Sequence, residues 1–422
     1  MNGSTAKATE LDPDYGSQGI AKPDPRLYTI GNTIQTRDGQ VGVGMWDVKD
    51  NDSQYVIFRL DQQGKLDASF AENGVTTGLI EGNRFSIGTD VVQLHDGRFI
   101  MLGQWVTHNM ASPYYLTRFD AKGGLDTTFG NDGHLVIYPP SPAGTGAGEK
   151  KAAQSQPEPV HPQKAHDRLK VERNYGYILA PSSTGAYLTF SSEYEGGIIK
   201  FNDDGTYDRA FGNEGVIHFS RKVTEHNRPA SLRVDNEGLT IGLISRQQGL
   251  EGPYTVGIVR LTHEGVFDDQ FGDNGYAFLD SGFAIKDHCV LPDQRIIIAA
   301  IEMVSEKSEY FLFALNEDGT PDKDFKQDPH SFNAIFDARL EYDSNNQTIL
   351  AIVKNHTLDA RLLLGRFRPD GEHIDNRWDP IDLFVNSLGG VRVQPDGKTI
   401  IDGQMVSTGV KLSGFSLRLL PG

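Results

Sequence analysis

The chain carries one cysteine, Cys289, in 422 residues. A single thiol permits no intrachain disulfide and no Cys-x-x-Cys metal or redox pair. Cys289 sits in an apolar run, which reads as a small buried hydrophobe rather than a nucleophile. Long apolar stretches are also missing. None approaches the ~18 residues of a membrane span, so no span is expected. The opening residues, MNGSTAKATELDPDYG, lack a basic stretch followed by an apolar one, and no secretory signal is read there. Positive charge is scarce: 40 Lys and Arg face 57 Asp and Glu, for a net charge of −17. Such a surface repels phosphate backbones, so nucleic acid is not an expected partner. Without a signal or disulfides the default location is the cytoplasm, with signal-independent export or surface association left open.

Glycine, by contrast, is plentiful, at 47 residues. Glycine punctuates turns, and its abundance without low complexity suggests many short strands. The turns recur. LDTTFGNDG spans Leu125 to Gly133, and related segments begin at Leu11, Leu66, Tyr207 and Phe267. Weaker copies begin at Pro321 and Ile374. Their aspartates are Asp12, Asp67, Asp126, Asp208, Asp268, Asp322 and Asp375. Two further signatures alternate with this one. One is a pair of apolar runs around an Asp-Gly-type turn, as in VRVQPDGKTIIDGQM from Val391. The other is an apolar strand ending in Arg or Lys and a turn, as in YYLTRFDAKG. Each signature occurs seven times.

Asx-Gly turns between apolar runs are hairpin signals. Each unit therefore has four strands, a to d, and seven such units predict an all-β, seven-bladed β-propeller in one domain. A d-type copy, Leu11 to Gly19, stands ahead of the first a strand, and a c-type run, Phe415 to Leu420, ends the last unit. Residues 11–20 are thus expected to supply the outer strand of the last blade and close the ring, which hides sheet edges. Residues 1–10 read as a disordered tail. Residues 139–173, rich in Pro, Ala, Gly and Gln, read as a long inserted loop.

Within LDxxFGxxG the residue types suit architecture. The first apolar residue and the aromatic (Phe70, Phe129, Phe211, Phe271) are expected between blades. The Asp is placed to accept backbone N–H bonds, and the glycines permit positive φ. No helix pattern follows, which argues against a phosphate cradle. One Asp in register is too few for an EF-hand calcium loop.

The arrangement resembles the delta-60 repeat, a bacterial β-propeller repeat. Gln394-Pro395-Asp396-Gly397-Lys398 and Leu125 to Gly133 match its segments closely. Units five and six depart from it, with Lys326 in place of Gly and Trp378 in place of Phe. The resemblance implies fold and bacterial origin, and it carries no catalytic residues to transfer.

Function is expected where the repeats stop agreeing. The a–b and c–d turns are short and repetitive, whereas the b–c and d–a loops vary, and binding commonly sits on variable loops of a rigid frame. Binding candidates on that face are Arg84, His108, Arg173, Glu193, Tyr194, Arg221, His226, Arg228 and Arg246. The arginines suit a carboxylate or acidic sugar. His108, His226 and His356 lie on different blades, too far apart to share a metal. Trp46 and Trp105 align with Ile244, Ile301, Val353 and Met405, a core position, rather than with sugar platforms. No catalytic residue, metal ligand or cofactor site is identified. The leading expectation is a monomeric, non-enzymatic propeller holding a protein or glycan ligand on its variable face. The alternatives are a hydrolase or lyase at the channel mouth, with His108, Glu193, Tyr194 and His226 for acid–base work, and a multivalent lectin.

Overall fold

The computed structural model describes residues 10–48, 53–80, 85–105, 114–137, 177–191, 196–219, 225–247, 254–302, 309–326, 330–331, 335–355, 361–374, 379–407 and 411–421. A short strand β1 (Ile20–Ala21) comes first. Blade 1 follows as β2 (Leu27–Thr36), β3 (Gly39–Asp47), β4 (Ser53–Leu60) and β5 (Val75–Gly78). Blade 2 is β6 (Ser86–Gln93), β7 (Phe99–Trp105), β8 (Tyr114–Phe119) and β9 (His134–Ile137). Blade 3 is β10 (Leu179–Ser182), β11 (Gly185–Ser191), β12 (Gly196–Asn202) and β13 (Val216–His218). Blade 4 is β14 (Glu225–Val234), β15 (Leu239–Gln247), β16 (Thr255–Leu261) and β17 (Tyr276–Ser281). Blade 5 is β18 (Phe283–Val290), β19 (Ile296–Glu302), β20 (Glu309–Leu315) and β21 (His330–Ser331). Blade 6 holds β22 (Ile335–Asp343), β23 (Thr348–Asn355), β24 (Arg361–Phe367) and the first part of β25 (Asp379–Val393). The second part of β25 opens blade 7, which continues with β26 (Thr399–Ser407) and β27 (Lys411–Leu419). All pairings between these strands are antiparallel, as the seven-bladed propeller expectation requires. Because β25 runs unbroken from the outer edge of blade 6 to the inner edge of blade 7, those two blades form one continuous sheet.

The ring closes through β1. Ile20 pairs with Leu417 and Ala21 with Ser416, so β1 is the outer strand of blade 7. The expected closing strand is therefore right in place but not in extent. Residues 11–19 form a bridge at Leu11–Leu419 followed by turns, and the strand proper is two residues. The same holds around the ring. The LDxxFGxxG segment makes one bridge to the c strand, as at Leu66–Leu60 and Leu125–Phe119, and then turns into the outer strand. Its glycines and tight turns interrupt the ladder that a strand needs.

The middle strands read as nearly unbroken apolar runs, such as IIIAAIE in β19, because both faces of each blade are covered by neighbours. The core is accordingly a series of apolar layers between blades. Val41, Val43 and Ile57 of blade 1 meet Val91, Met101 and Tyr115 of blade 2. Tyr15, Ala21 and Ile400 meet Leu27, Val56 and Phe58 where blade 7 meets blade 1. Trp46 and Trp105 are 7% exposed and belong to this core, as their alignment predicts. Cys289 is likewise buried, and burial pushes its thiol well above the ordinary range.

The repeated segment fixes how one blade sits on the next. Arg118 Nε donates to Asp126 Oδ2 at 2.8 Å, and its guanidinium lies 4.9 Å from the Phe129 ring centre. Asp126 Oδ1 meanwhile accepts the Thr128 amide at 3.1 Å. The set repeats as Arg59, Asp67 and Phe70, as Arg260, Asp268 and Phe271, and as Arg418, Asp12 and Tyr15. Lys200 plays the cationic part toward Asp208. Three of the arginines reach forward. Arg260 donates to the Glu317 carbonyl of blade 5, and Arg418 to the Gln62 carbonyl of blade 1, both at 2.6 Å. Arg118 reaches the Asp203 carbonyl of blade 3. Burial alone would raise the carboxyls of Asp12, Asp67 and Asp126. Backbone amides, side-chain hydrogen bonds and the arginines outweigh it and hold them below the usual carboxylate range.

The aromatic ring of each set packs on the c–d turn glycine of the following blade. A Cβ on Gly205 would lie 2.7 Å from the Phe129 ring, and one on Gly64 2.9 Å from Tyr15. The residue after the aromatic donates its amide to that same turn: Gly272 to Asp318 at 2.8 Å, Ala71 to Lys122 at 2.6 Å. It takes a left-handed conformation, with φ of 54° at Gly272 and 49° at Ala71. Alanine is strained there. Ala71→Gly is therefore expected to stabilise the protein by about 0.5–1 kcal/mol, whereas Gly205→Ala, with φ of 87° and the Phe129 ring in the way, should cost about 2 kcal/mol or more. Chemical denaturation midpoints of both variants check the pair.

Candidate functional site: the central channel and the variable face

The first strand of each blade is innermost, and neighbouring first strands touch one another around the ring. They line a channel, and polar residues enter it where the strands bulge. Asp90, Ser231, Asp287 and Asp337 each directly follow a β-bulge, a device that re-aims a side chain. Most of the resulting contacts run to the next blade. Asn32 donates to Asp90 at 2.6 Å, and Asp90 accepts the Leu179 amide of blade 3 at 3.0 Å. Arg233 of blade 4 bonds Asp287 of blade 5 at 2.9 Å, and Asp287 accepts the Leu340 amide of blade 6 at 3.2 Å. Arg339, paired with Asp337, donates to the Gly389 and Leu388 carbonyls of blade 7 at 3.0 and 3.1 Å. Arg392 closes the belt on Asn32 of blade 1 at 2.9 Å. These charges are committed to holding blades in register.

Glu341 is different. It lies on β22, partly exposed, and its carboxyl makes no ion pair within 4.0 Å among the described residues. Burial raises its pKa to about 7, against the opposing pull of Arg233 and Arg392. A carboxyl raised toward neutral pH in a channel is a candidate for proton transfer. His288 is a second perturbed group near the channel. It is fully buried between Ser231 Oγ, 2.5 Å from Nδ1, and Thr240 Oγ1, 2.9 Å from Nε2. Burial, with Arg233 nearby, lowers its pKa to about 3. Both hydroxyls hold the imidazole in place, and its burial keeps it from substrate.

The residues singled out from sequence fare unevenly. Arg84, His108, Arg173, Glu193, Tyr194 and Arg221 lie outside the described residues, as does the 139–173 insert. Three of the nine converge on one corner of blade 4. His226 pairs directly with Arg246 across β14 and β15, and Arg228 pairs with Ile244 two positions on. Arg228 is exposed there. The stretch from Glu225 was expected in a d–a loop and is instead the start of inner strand β14, because its pairing with β15 continues to Gln247. Sequence reasoning missed Glu341, His288 and the belt arginines. Their signal was polar residues in otherwise apolar inner runs, such as Arg392 in VRV and Glu341 in LEY.

No protein-family model matches the chain, and no curated protein matches it by sequence. Solved structures resemble it at low identity. The polysaccharide lyase Uly1 is 10% identical with a TM-score of 0.49, over 99% of this chain and 94% of that one. The WD40 domain of coronin from Toxoplasma gondii is 9% identical with a TM-score of 0.49, over 99% and 89%. The periplasmic gluconolactonase of Pseudomonas aeruginosa is 10% identical with a TM-score of 0.46, over 93% and 96%. They differ among themselves in what they do, and the propeller architecture rests on the strand pairing above. Among the described residues no helix is long and apolar enough to cross a membrane.

Glu341 and His288 shift stability with pH in opposite directions. The folded Glu341 keeps its proton up to about pH 7, whereas the unfolded carboxyl loses it near 4.3, so stability falls as pH rises through that window. His288 stays neutral in the fold down to about pH 3, whereas the unfolded imidazole gains a proton below about 6.5, so stability falls as pH drops. Between roughly pH 4.5 and 6.5 the two slopes oppose each other. Relative to wild type, Glu341→Gln should gain stability as pH rises across this range, and His288→Gln should lose it, each by up to about 1.4 kcal/mol per pH unit. Denaturation at several pH values reads both slopes.

Proposed function

We propose that the chain is a binding propeller of the delta-60 type that holds a protein or glycan partner on its b–c/d–a face. The commitment of the channel charges carries this reading. Asp90, Asp287, Arg233, Arg339 and Arg392 reach neighbouring blades with their hydrogen bonds, and Asp337 orients Arg339, which suits a rigid frame more than a reaction centre. Backbone pairing of β14 and β15 brings the positions of His226, Arg228 and Arg246 to one corner of blade 4, a set of basic residue types on an acidic protein that supports a carboxylate or acidic sugar as ligand. A second reading, a hydrolase or lyase acting on a carbohydrate-like or acidic substrate at the channel mouth, is favoured by one observation, the raised carboxyl of Glu341.

Glycan-array binding and partner capture, each followed by direct titration of the ligand found, separate the two. The binding reading expects affinity to fall at least tenfold in Arg228→Ala and Arg246→Ala and to stay unchanged in Glu341→Gln. Turnover of an acidic polysaccharide that Glu341→Gln abolishes would instead support the enzyme, and ligand binding indifferent to both arginines would remove the proposed face.

A further inference from the structure

The outer-strand position of blade 7 is a preformed slot whose occupant is not covalently continuous with the strand it pairs with. In blades 1 to 5 the LDxxF-type segment follows its c strand through a short turn. In blade 7 the segment is residues 11–21 and the c strand is β27, at the far end of the sequence. Every contact is therefore equally available to the same segment arriving from another chain.

The slot is specific. Asp12 meets Arg418 at 2.8 Å and Lys398 at 3.2 Å, so an acidic residue enters a basic pair. Tyr15 is buried, and its hydroxyl lies 2.9 Å from both Gln40 Oε1 and Ser416 Oγ. The Asp12 amide donates to the Arg418 carbonyl at 2.8 Å, the Arg418 amide to the Gly19 carbonyl at 3.0 Å, and the Gly16 amide to the Gln63 carbonyl at 2.8 Å. The slot is built jointly by blades 7 and 1, so an incoming segment completes two surfaces at once.

The link between β1 and β2 is the stretch Lys22-Pro23-Asp24-Pro25-Arg26. Its turn is held largely by its own bonds, Asp24 to the Arg26 side chain and amide and the Leu27 amide to the Asp24 carbonyl at 3.0 Å. Two prolines bias Lys22 and Asp24 toward extended backbone, the conformation an opened arm adopts. Opening the arm unwinds this local turn, while Arg26 stays anchored to blade 1 by the Asp47 amide, 2.8 Å from its carbonyl, and by the Trp46 ring, 4.6 Å from its guanidinium.

We propose that blade 7 is an exchange site for residues 11–21 of a second copy of this chain, giving a reciprocally swapped dimer. Such exchange forms a dimer without any new interface. The short link gives the intramolecular arm an effective concentration of order mM, so the closed monomer prevails in dilute solution and the dimer forms when chains open at high concentration.

Two full-length charge-swapped variants test this. Asp12→Arg disables the segment and Arg418→Asp disables the slot, so each variant mispairs within itself while the mixture lets each altered surface meet its complement. The variants are mixed at high concentration, warmed to near their melting midpoint, cooled, and analysed by size exclusion with light scattering. The expected result is monomers with lowered melting midpoints separately, and a species of twice the mass with a recovered midpoint in the mixture. A mixture that stays monomeric with no recovery would overturn the proposal. Should either variant fail to fold, tagged and untagged wild-type chains carried through the same cycle decide it: a mixed dimer supports exchange, and its absence refutes it.

Discussion

A guanidinium clamped between a carboxylate and an aromatic ring is the contact on which this ring depends. Apolar layers between blades supply most of the burial, but burial is non-directional and sets no angle between neighbours. The Arg–Asp–aromatic set does. Arg260 binds Asp268, covers Phe271 and donates to Glu317 of the following blade, while Phe271 rests on Gly319 of that blade. Two hydrogen-bonded partners, one stacked ring and one steric seat leave little freedom for the next blade to tilt. The set recurs in blades 1, 2, 4 and 7, with Lys200 in the cationic place in blade 3, and each copy constrains the angle of one step of the ring.

The closing joint uses the same parts. Arg418, Asp12 and Tyr15 reproduce the set with a segment from the other end of the sequence, and Gln62 and Gly64 of blade 1 receive it. Beneath it lies a buried polar cluster absent from the general scheme. Thr33 and Gln40 of blade 1 meet Asp402 of blade 7, whose pKa burial raises. Buried polar groups in apolar surroundings are costly unless bonded, and they specify one pairing over others. The seam therefore differs from the other joints in chemistry while sharing their geometry.

Much of this was legible in the sequence, for a physical reason. A propeller blade cannot bury its faces alone, so its signals must repeat, and repetition makes weak turn motifs readable. Fold class, blade number and ring closure followed from LDxxFGxxG and its displaced copy. The pairing partner of the motif aspartate did not, although Arg118 and Asp126 stand at the same separation as Arg59 and Asp67. The extent of the outer strands was also misjudged, because the turns of the motif displace the ladder onto residues that follow it. The site was legible only as a face. Variable loops give no periodic signal, and Glu341 and His288 are single residues in apolar runs whose environment comes from blades distant in sequence.

The frame and the candidate binding face thus lie on different sides of the ring. The repeated turns do architectural work on one side, and the channel charges do it in the middle, which leaves the b–c/d–a side free to vary. That division stands on the claim that the Arg–Asp contact within a blade, which aims the guanidinium at the next one, stabilises the fold rather than decorating a surface. A double-mutant cycle on Arg118 and Asp126, read by denaturant unfolding of Arg118→Ala, Asp126→Ala and the double variant, measures it directly. The account predicts a coupling above about 1 kcal/mol, and single-variant losses that add to within about 0.3 kcal/mol would contradict it.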